Sequence, residues 1–390
     1  MDLVPKRAPD SWLFFTVVAL VATGVVMVYS ASAIVAHDRY GDSTFFFKRQ
    51  VAWAGLGMMA LLIMQRTHYA RLRRFTPLLL IGAVLSLALV LVPGIGRVAG
   101  GARRWIVLAG PFAFQPAEGA KLALALYLAH VLTNRGPGLG NPRMVSSPLI
   151  VTALISGLIL VQPDMGTSLL VALLAAAVFF IGGVRLTHLL GLSLASIPLL
   201  TAAALGEEYR RQRLLAFLDP WRDPQGAGFH IIQSLLALGS GGVLGLGLGE
   251  SRQKFFYLPE RHTDFIFAIL GEELGLVGTV AVLVLFAILA IRGLRIAREA
   301  PDRYGSLVAG SITVMIVLQA IINIGVTTGV LPITGVPLPF VSFGGSSLLF
   351  AMMGIGILMN ISQYCGNPHA GFAGSGRSAG TRERGNTGPR

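Results

Sequence analysis

Ten long apolar runs constrain this chain more than any other feature. They fall at 12–35, 50–65, 75–93, 118–134, 148–162, 166–183, 187–205, 264–291, 305–329 and 344–364. A helix needs roughly 20 apolar residues to cross the hydrocarbon core of a bilayer, where every backbone polar group must be paired inside the protein. Several runs are short, and 264–291 is long enough to tilt or break. Charged residues make up only 13% of the chain, about half of the roughly 25% usual in a soluble domain. That excludes a large soluble enzyme with a charged skin. The 54% hydrophobic content excludes a disordered chain. The predicted fold class is all-α: a polytopic membrane protein of about ten transmembrane helices, with a large outer loop at 206–263 holding short re-entrant or interfacial helices.

Ten spans put both termini on one side. Arg66, Arg71, Arg73 and Arg74, and later Arg292, Arg295, Arg298 and Arg303, then share the side of Lys6 and Arg7. Basic residues favour the cytoplasmic side, so both ends are expected in the cytoplasm. The expected organisation is a cytoplasmic segment at 1–11, a membrane domain at 12–365 and a disordered cytoplasmic tail at 366–390, rich in Gly, Ser, Thr and Arg. The net charge of +13 is spread between apolar runs. Topology and contacts with anionic membrane lipids or substrate groups account for it better than nucleic acid does. The single cysteine, Cys365, can form neither an internal disulfide nor a cysteine metal cluster. Ala31-Ser32-Ala33 resembles a signal cleavage site, but its run is too long for a signal peptide and reads as a retained first helix.

Four outer segments do not look like linkers. One holds Arg103-Arg104-Trp105, then Phe114-Gln115-Pro116-Ala117-Glu118, with Lys121 one turn on. A second is Gln162-Pro163-Asp164-Met165-Gly166-Thr167. The third is the long loop, where the apolar stretch 228–238 is too short to span. The glycines after it lack both the Walker and the dinucleotide-binding register. The fourth runs from Pro332 to Ser347. On the expected topology all four open on one side, and ionisable groups at membrane depth usually face a cavity or a partner. Asp264 stands where the longest apolar run begins. There it, or Thr263, could simply cap a helix.

The run 258–275, LPERHTDFIFAILGEELG, resembles the signature of the SEDS family (shape, elongation, division and sporulation proteins). FQPAE with Lys121, QPDMGT and PLPFVSFGG are similar to that family's other motifs, in the expected order, over residues 12–364. Phe217-Leu218-Asp219-Pro220-Trp221 and the stretch 247–254 resemble the cell-division member more than the elongation member. The resemblance implies a peptidoglycan glycosyltransferase on the outer face of the bacterial cytoplasmic membrane. Its implied substrate is lipid II, a disaccharide-pentapeptide on undecaprenyl pyrophosphate. The implied partners are a class B penicillin-binding protein (a transpeptidase) and other division proteins. The family's essential aspartate matches Asp264.

Glycan polymerisation makes a weak nucleophile, a sugar hydroxyl, lose a proton as it attacks, and a placed carboxylate can take that proton. Asp264 is the candidate base. The departing pyrophosphate calls for cations, and Arg103, Arg104 and Lys121 are candidates. The arginines could instead meet lipid headgroups, and Lys121 could pair with Glu118. Gln162 and Asp164 could bind sugar hydroxyls or a divalent ion, or could form a capped turn. Ser342, in the wall-forming loop 332–347, and His262, beside the candidate base, complete the candidate substrate-binding set. His230 reads as interfacial, and Glu272 and Glu273 as partners of buried polar groups. A divalent cation (Mg or Mn) is compatible with pyrophosphate chemistry, but no dense ligand cluster marks a metal site. Two other functions stay open: a flippase moving lipid II across the membrane, and a non-catalytic division scaffold for a transpeptidase.

Overall fold

The computed structural model describes residues 6–99, 102–109, 112–135, 143–254 and 262–366. Its helices run α1 (Ser11–Tyr40), α2 (Phe45–Arg66), α3 (Tyr69–Leu89), α4 (Pro116–Asn134), α5 (Arg143–Val161), α6 (Met165–Ile181) and α7 (Leu186–Leu205). They continue with α8 (Glu208–Leu218), α9 (Phe229–Ser240), α10 (Ile266–Glu299), α11 (Arg303–Thr327) and α12 (Gly345–Ser362). All but α8 and α9 coincide with the ten apolar runs. Five of them, α1, α3, α10, α11 and α12, are each long and apolar enough to cross a membrane by length and composition. With the shorter apolar helices they make a multi-pass membrane protein. The short α8 and α9 occupy the long loop 206–263. Beyond Gly366 the expected tail lies outside the described residues, as do residues 1–5 of the N-terminal segment.

Several boundaries differ from the sequence reading: α1 runs on to Tyr40, α2 starts at Phe45, α5 starts at Arg143 and α10 runs on to Glu299. The helix expected from residue 75 begins at Tyr69, because the His68 ring accepts a hydrogen bond from Ala70 N at 3.1 Å and starts the helix before the apolar run does. The segment 94–117, read as a loop, contains a three-stranded antiparallel sheet. Its strands are β1 (Gly96–Ala99), β2 (Ala102–Ala109) and β3 (Phe112–Phe114), in the order β1-β2-β3. Arg97 pairs with Trp105, and Ile106 with Phe114. Aromatic and β-branched residues suit such a pleated surface. The helical fold therefore carries a small β hat on α4.

Lipid tails are as apolar as leucine, so the helices associate by close packing and hydrogen bonds rather than by escape from water. Small residues make that approach possible. A methyl group on Gly356 of α12 would lie 2.4 Å from the Leu61 carbonyl oxygen of α2, and one on Gly57 would lie 2.5 Å from Met352 Sδ. Large apolar side chains such as Leu78, Leu85, Leu194, Ile197 and Leu276 remain exposed on the outer surface, as a lipid-facing shell requires.

The long helix α10 breaks at Gly275, which has φ 65° and ψ −162°. A break strands carbonyls before it and amides after it, which lipid cannot satisfy. The loop after α9 satisfies them. Leu246 N and Gly247 N donate to the Glu272 and Glu273 carbonyls, both at 3.0 Å. Leu276 N and Val277 N donate to the Gly242 and Val243 carbonyls at 2.9 and 3.1 Å. Only glycine permits this contact. A methyl on Gly275 would lie 2.3 Å from Gly245 N, and one on Gly245 (φ 82°) 2.1 Å from the Glu273 carbonyl. The glycines of 241–249 thus serve a backbone docking.

Candidate functional site

The break divides α10 into a buried first part, carrying Asp264 just ahead of it, and a long second part with a lipid-facing side. Glu272 and Glu273 tie the first part down. Glu272 accepts from Ser251 Oγ and from Arg252 N at 2.8 Å. Glu273 accepts from Ser30 Oγ of α1 at 2.6 Å and pairs with Lys254 at 3.5 Å. Both carboxylates are 1% exposed, and they satisfy buried polar groups as their sequence position leads one to expect.

A second non-helical segment, 331–344, enters the bundle from the same end. A methyl on Gly24, in the middle of α1, would lie 2.4 Å from the Phe340 carbonyl oxygen. Val336, Leu338, Phe340 and Val341 are buried. Irregular backbone at this depth needs partners from side chains. Gln319 Nε2 donates to Pro337 O at 2.9 Å, Asn323 Nδ2 to Val336 O at 2.8 Å, and Gln50 Nε2 to Ser342 O at 3.3 Å.

Asp264 sits in the turn between these segments. Phe265 is the N-cap of α10 and no side chain caps the helix, so neither Asp264 nor Thr263 plays the capping part open to it from sequence. Its backbone is held instead: Asp264 O accepts from Asn323 Nδ2 at 2.8 Å, Thr263 O from Ser342 Oγ at 2.6 Å, and His262 O from Phe343 N at 2.9 Å. The half-buried Asp264 side chain lines a cavity of about 630 Å³ with Arg213, Asp219, Arg222, Asp223 and His230. A smaller cavity of about 90 Å³ adjoins it through Arg213 and Ile333, and carries Arg104, Arg210 and the Thr334 hydroxyl. Three carboxylates, Asp219, Asp223 and Asp264, thus share an adjoining pair of hollows with four arginines. Such a lining suits a substrate with sugar hydroxyls and a strongly anionic group.

The candidate residues divide accordingly. Asp264 and Arg104 line the hollows. Arg104 also pairs with Asp164 at 3.5 Å and donates to the Gln162 and Pro163 carbonyls. Asp164 caps α6 through Thr167 N at 3.0 Å, and Gln162 Nε2 donates to Leu87 O at 3.0 Å; both side chains are buried. Glu118 and Lys121 pair at 2.9 Å, and Lys121 Nζ also donates to Gln319 Oε1 at 2.6 Å, all out of contact with solvent. Ser342 accepts from Leu338 N at 2.8 Å while donating to Thr263 O. The His262 ring packs between Phe46 and Phe343, with centroids at 4.7 and 5.8 Å. Arg103 is exposed on β2. Of the sequence candidates, then, Asp264 and Arg104 line the hollows; Glu118, Lys121, Gln162, Asp164, His262 and Ser342 contact protein groups. Among the described residues no group of three or more His, Cys, Asp or Glu side chains is gathered for a metal ion.

The sequence reading missed Arg210, Arg213 and Arg222, and took His230 as interfacial, although it lines the cavity and stacks on Phe265 at 5.8 Å. A signal existed. Arg210 and Arg213 stand i,i+3 in a strongly polar helix of an apolar chain, and that spacing puts both on one face.

Residues 11–366 match the cell cycle protein family of FtsW, RodA and SpoVE. Stage V sporulation protein E of Bacillus subtilis (strain 168) is 45% identical over 360 residues, 92% of this chain and 98% of that protein. A probable peptidoglycan glycosyltransferase FtsW of Geobacter metallireducens is 42% identical over 354 residues, 90% of this chain and 94% of that one. Among solved structures, the Thermus thermophilus rod shape determining protein RodA superposes with a TM-score of 0.67 at 32% identity, covering 92% of this chain and 98% of that one. A chain from a structure on the coordination of polymerization and crosslinking by a peptidoglycan synthase complex superposes with a TM-score of 0.76 at 36% identity, covering 92% and 99%.

Proposed function

Since the chain belongs to the FtsW, RodA and SpoVE family, we propose that it is a peptidoglycan glycosyltransferase that polymerises lipid II, with Asp264 as general base. The observation that carries this reading is the placement of Asp264 in a hollow whose other charged lining includes Arg213 and Arg222, continuous with Arg104 and Arg210. The 4-hydroxyl of an acceptor GlcNAc attacks the anomeric carbon of a donor MurNAc. The new glycosidic C–O bond forms as the bond to the pyrophosphate oxygen breaks. The hydroxyl proton passes to the Asp264 carboxylate, a transfer typically worth roughly 10²–10⁴-fold in rate. Undecaprenyl pyrophosphate departs with its charge, which the arginines stabilise; fixed cations aimed at developing charge are among the strongest catalytic terms. Arg104 is held for that task by Asp164. The buried Glu118–Lys121 pair and Gln162 support the walls.

The hollows open on the outer face of the cytoplasmic membrane, with both termini in the cytoplasm. A class B penicillin-binding protein crosslinks the strands made there. The relative in a peptidoglycan synthase complex supports this pairing of activities, and the FtsW relatives support a role in division.

Incubating the purified protein, alone and with its cognate transpeptidase, with labelled lipid II tests the reading. Glycan strands on a gel are the expected product. Transfer of lipid II across vesicles without any polymer would instead mark a flippase, and neither activity would leave a scaffold.

A further inference from the structure

An asparagine in a membrane helix is costly unless its amide has work to do. Asn323 of α11 is 1% exposed, and its Nδ2 donates to two carbonyls at once, Asp264 O and Val336 O, each at 2.8 Å. These belong to the two non-helical segments that meet at the site. Gln319, one turn earlier on the same face, donates to the Pro337 carbonyl and to Ser347 Oγ and accepts from Lys121. Asn323 thus bridges the Asp264 residue itself to the opposite segment. Across that bridge the Asp264 carboxylate faces the backbone of Gly335: a methyl on Gly335, which has φ 73°, would lie 3.6 Å from Asp264 Oδ2. One amide thus sets both the carrier of the carboxylate and the wall it stands against. Ser342 Oγ fixes the preceding carbonyl, Thr263 O, from the same segment.

We propose that Asn323 is a positioning residue for the Asp264 carboxylate, holding it at a fixed separation from the Gly335–Val336 backbone so that it meets the acceptor hydroxyl in line. The proposal rests on the reading of Asp264 as base. Asn323 is not among the residues that line either hollow. Its removal leaves the lining of the hollow and the arginines in place but loosens the Asp264 end of the 262–265 turn, whose other carbonyls stay held by Ser342 and Phe343. A displacement of the base by about 1 Å costs on the order of 100-fold in rate, while substrate affinity does not depend on it. The expected signature is a fall in kcat without a matching rise in KM.

The experiment compares wild type, Asn323→Ala, Asn323→Ser, Asn323→Gln, Thr313→Val and Asp264→Asn. It uses the full chain with its transpeptidase, and measures lipid II polymerisation against concentration, lipid II binding and melting temperature. Thr313→Val removes another buried hydrogen bond of α11, to Ala309 O, and reports what destabilisation alone does. Asn323→Ala is expected to lose about 100-fold in kcat with KM and lipid II affinity retained. Asn323→Gln, which keeps both donors, is expected to recover part of the rate. Asn323→Ser, which cannot reach both carbonyls, is read in the same way if the alanine variant is not recovered folded. Unchanged kcat in folded variants, a raised KM at constant kcat, or a loss equal to that of Thr313→Val would overturn the proposal. Wild-type polymerisation by Asp264→Asn would overturn the reading of the base instead, so the two failures are distinguishable.

Discussion

The two ends of the helix bundle spend their buried polar groups in opposite ways. At the end carrying Asp10, side chains close the helices on one another. Asp10 caps α1 through Leu13 N at 3.0 Å and pairs with Arg292 of α10 at 2.6 Å. Asn360 of α12 accepts from Tyr69 N at 2.8 Å and donates to Gln65 O at 2.7 Å. Asp302 caps α11 and accepts from Tyr69 OH at 2.7 Å. At the end carrying Asp264, the polar side chains hold non-helical backbone instead: Asn323, Gln319 and Ser342 serve the 262–265 and 331–344 segments, and Glu272 holds Ser251 and Arg252 beside the α10 break. One end is a clasp, and the other is a frame around a hollow. The same residue types give stability at the first and shape at the second.

That contrast can be broken by substitution. The largest effect is expected at the α10 break, where Gly275→Val meets the Val243 and Gly245 backbone and cannot relax into φ 65°. A loss of about 3–4 kcal/mol follows from strain and overpacking together, read as a collapse in melting temperature and in yield of folded protein. Arg213→Ala, in the wall shared by both hollows, should cost roughly 10²-fold in polymerisation rate, about 2.7 kcal/mol, at nearly wild-type melting temperature. Asp10→Ala, at the clasp, should do the reverse. The cap and a partly buried ion pair are lost, about 2 kcal/mol in stability, with kcat of the folded fraction unchanged. A kcat loss there would mean that the two ends are coupled.

The smallest effect is expected at Asp42, which lies at the hollow's end of the bundle but outside its lining. Hydrogen bonds from Thr44 and then Lys48 hold its carboxyl down to about 2. Its contribution is complete above the ordinary carboxylate value of 3.8 and is lost as the pH falls through about 2. Asp42 and Lys48 are both exposed, so solvent screens their pair, and Asp42→Asn should leave both melting temperature and rate near wild type at pH 7. A large change would show that position at this end alone confers a role.

The ten spans were legible because lipid imposes a length and a composition on anything that crosses it, and those survive in the order of residues. Asp264 stood out because it begins the longest apolar run and matches the aspartate of the family resemblance; the structure adds that it lines the hollow. The glycines of 241–249 could be seen but not understood, since their partner, the Gly275 break, lies some thirty residues on, and the docking is made by backbone that leaves no residue code. Asn323 and Ser342 hold carbonyls 59 and 79 positions away, which periodicity does not report. The strands of 96–114 are too short, and too interrupted by Gly and Arg, to stand out from a loop. The arginines of α8 were not singled out, although their spacing makes a face.

The most direct test of the account is the Asp264→Asn protein, with lipid II binding and glycan-chain formation measured on the same folded, transpeptidase-bound preparation. The predicted result is wild-type binding with polymerisation lowered by roughly 10²–10⁴-fold. Polymer at the wild-type rate would contradict the account, and so would a loss of polymer fully explained by a loss of binding.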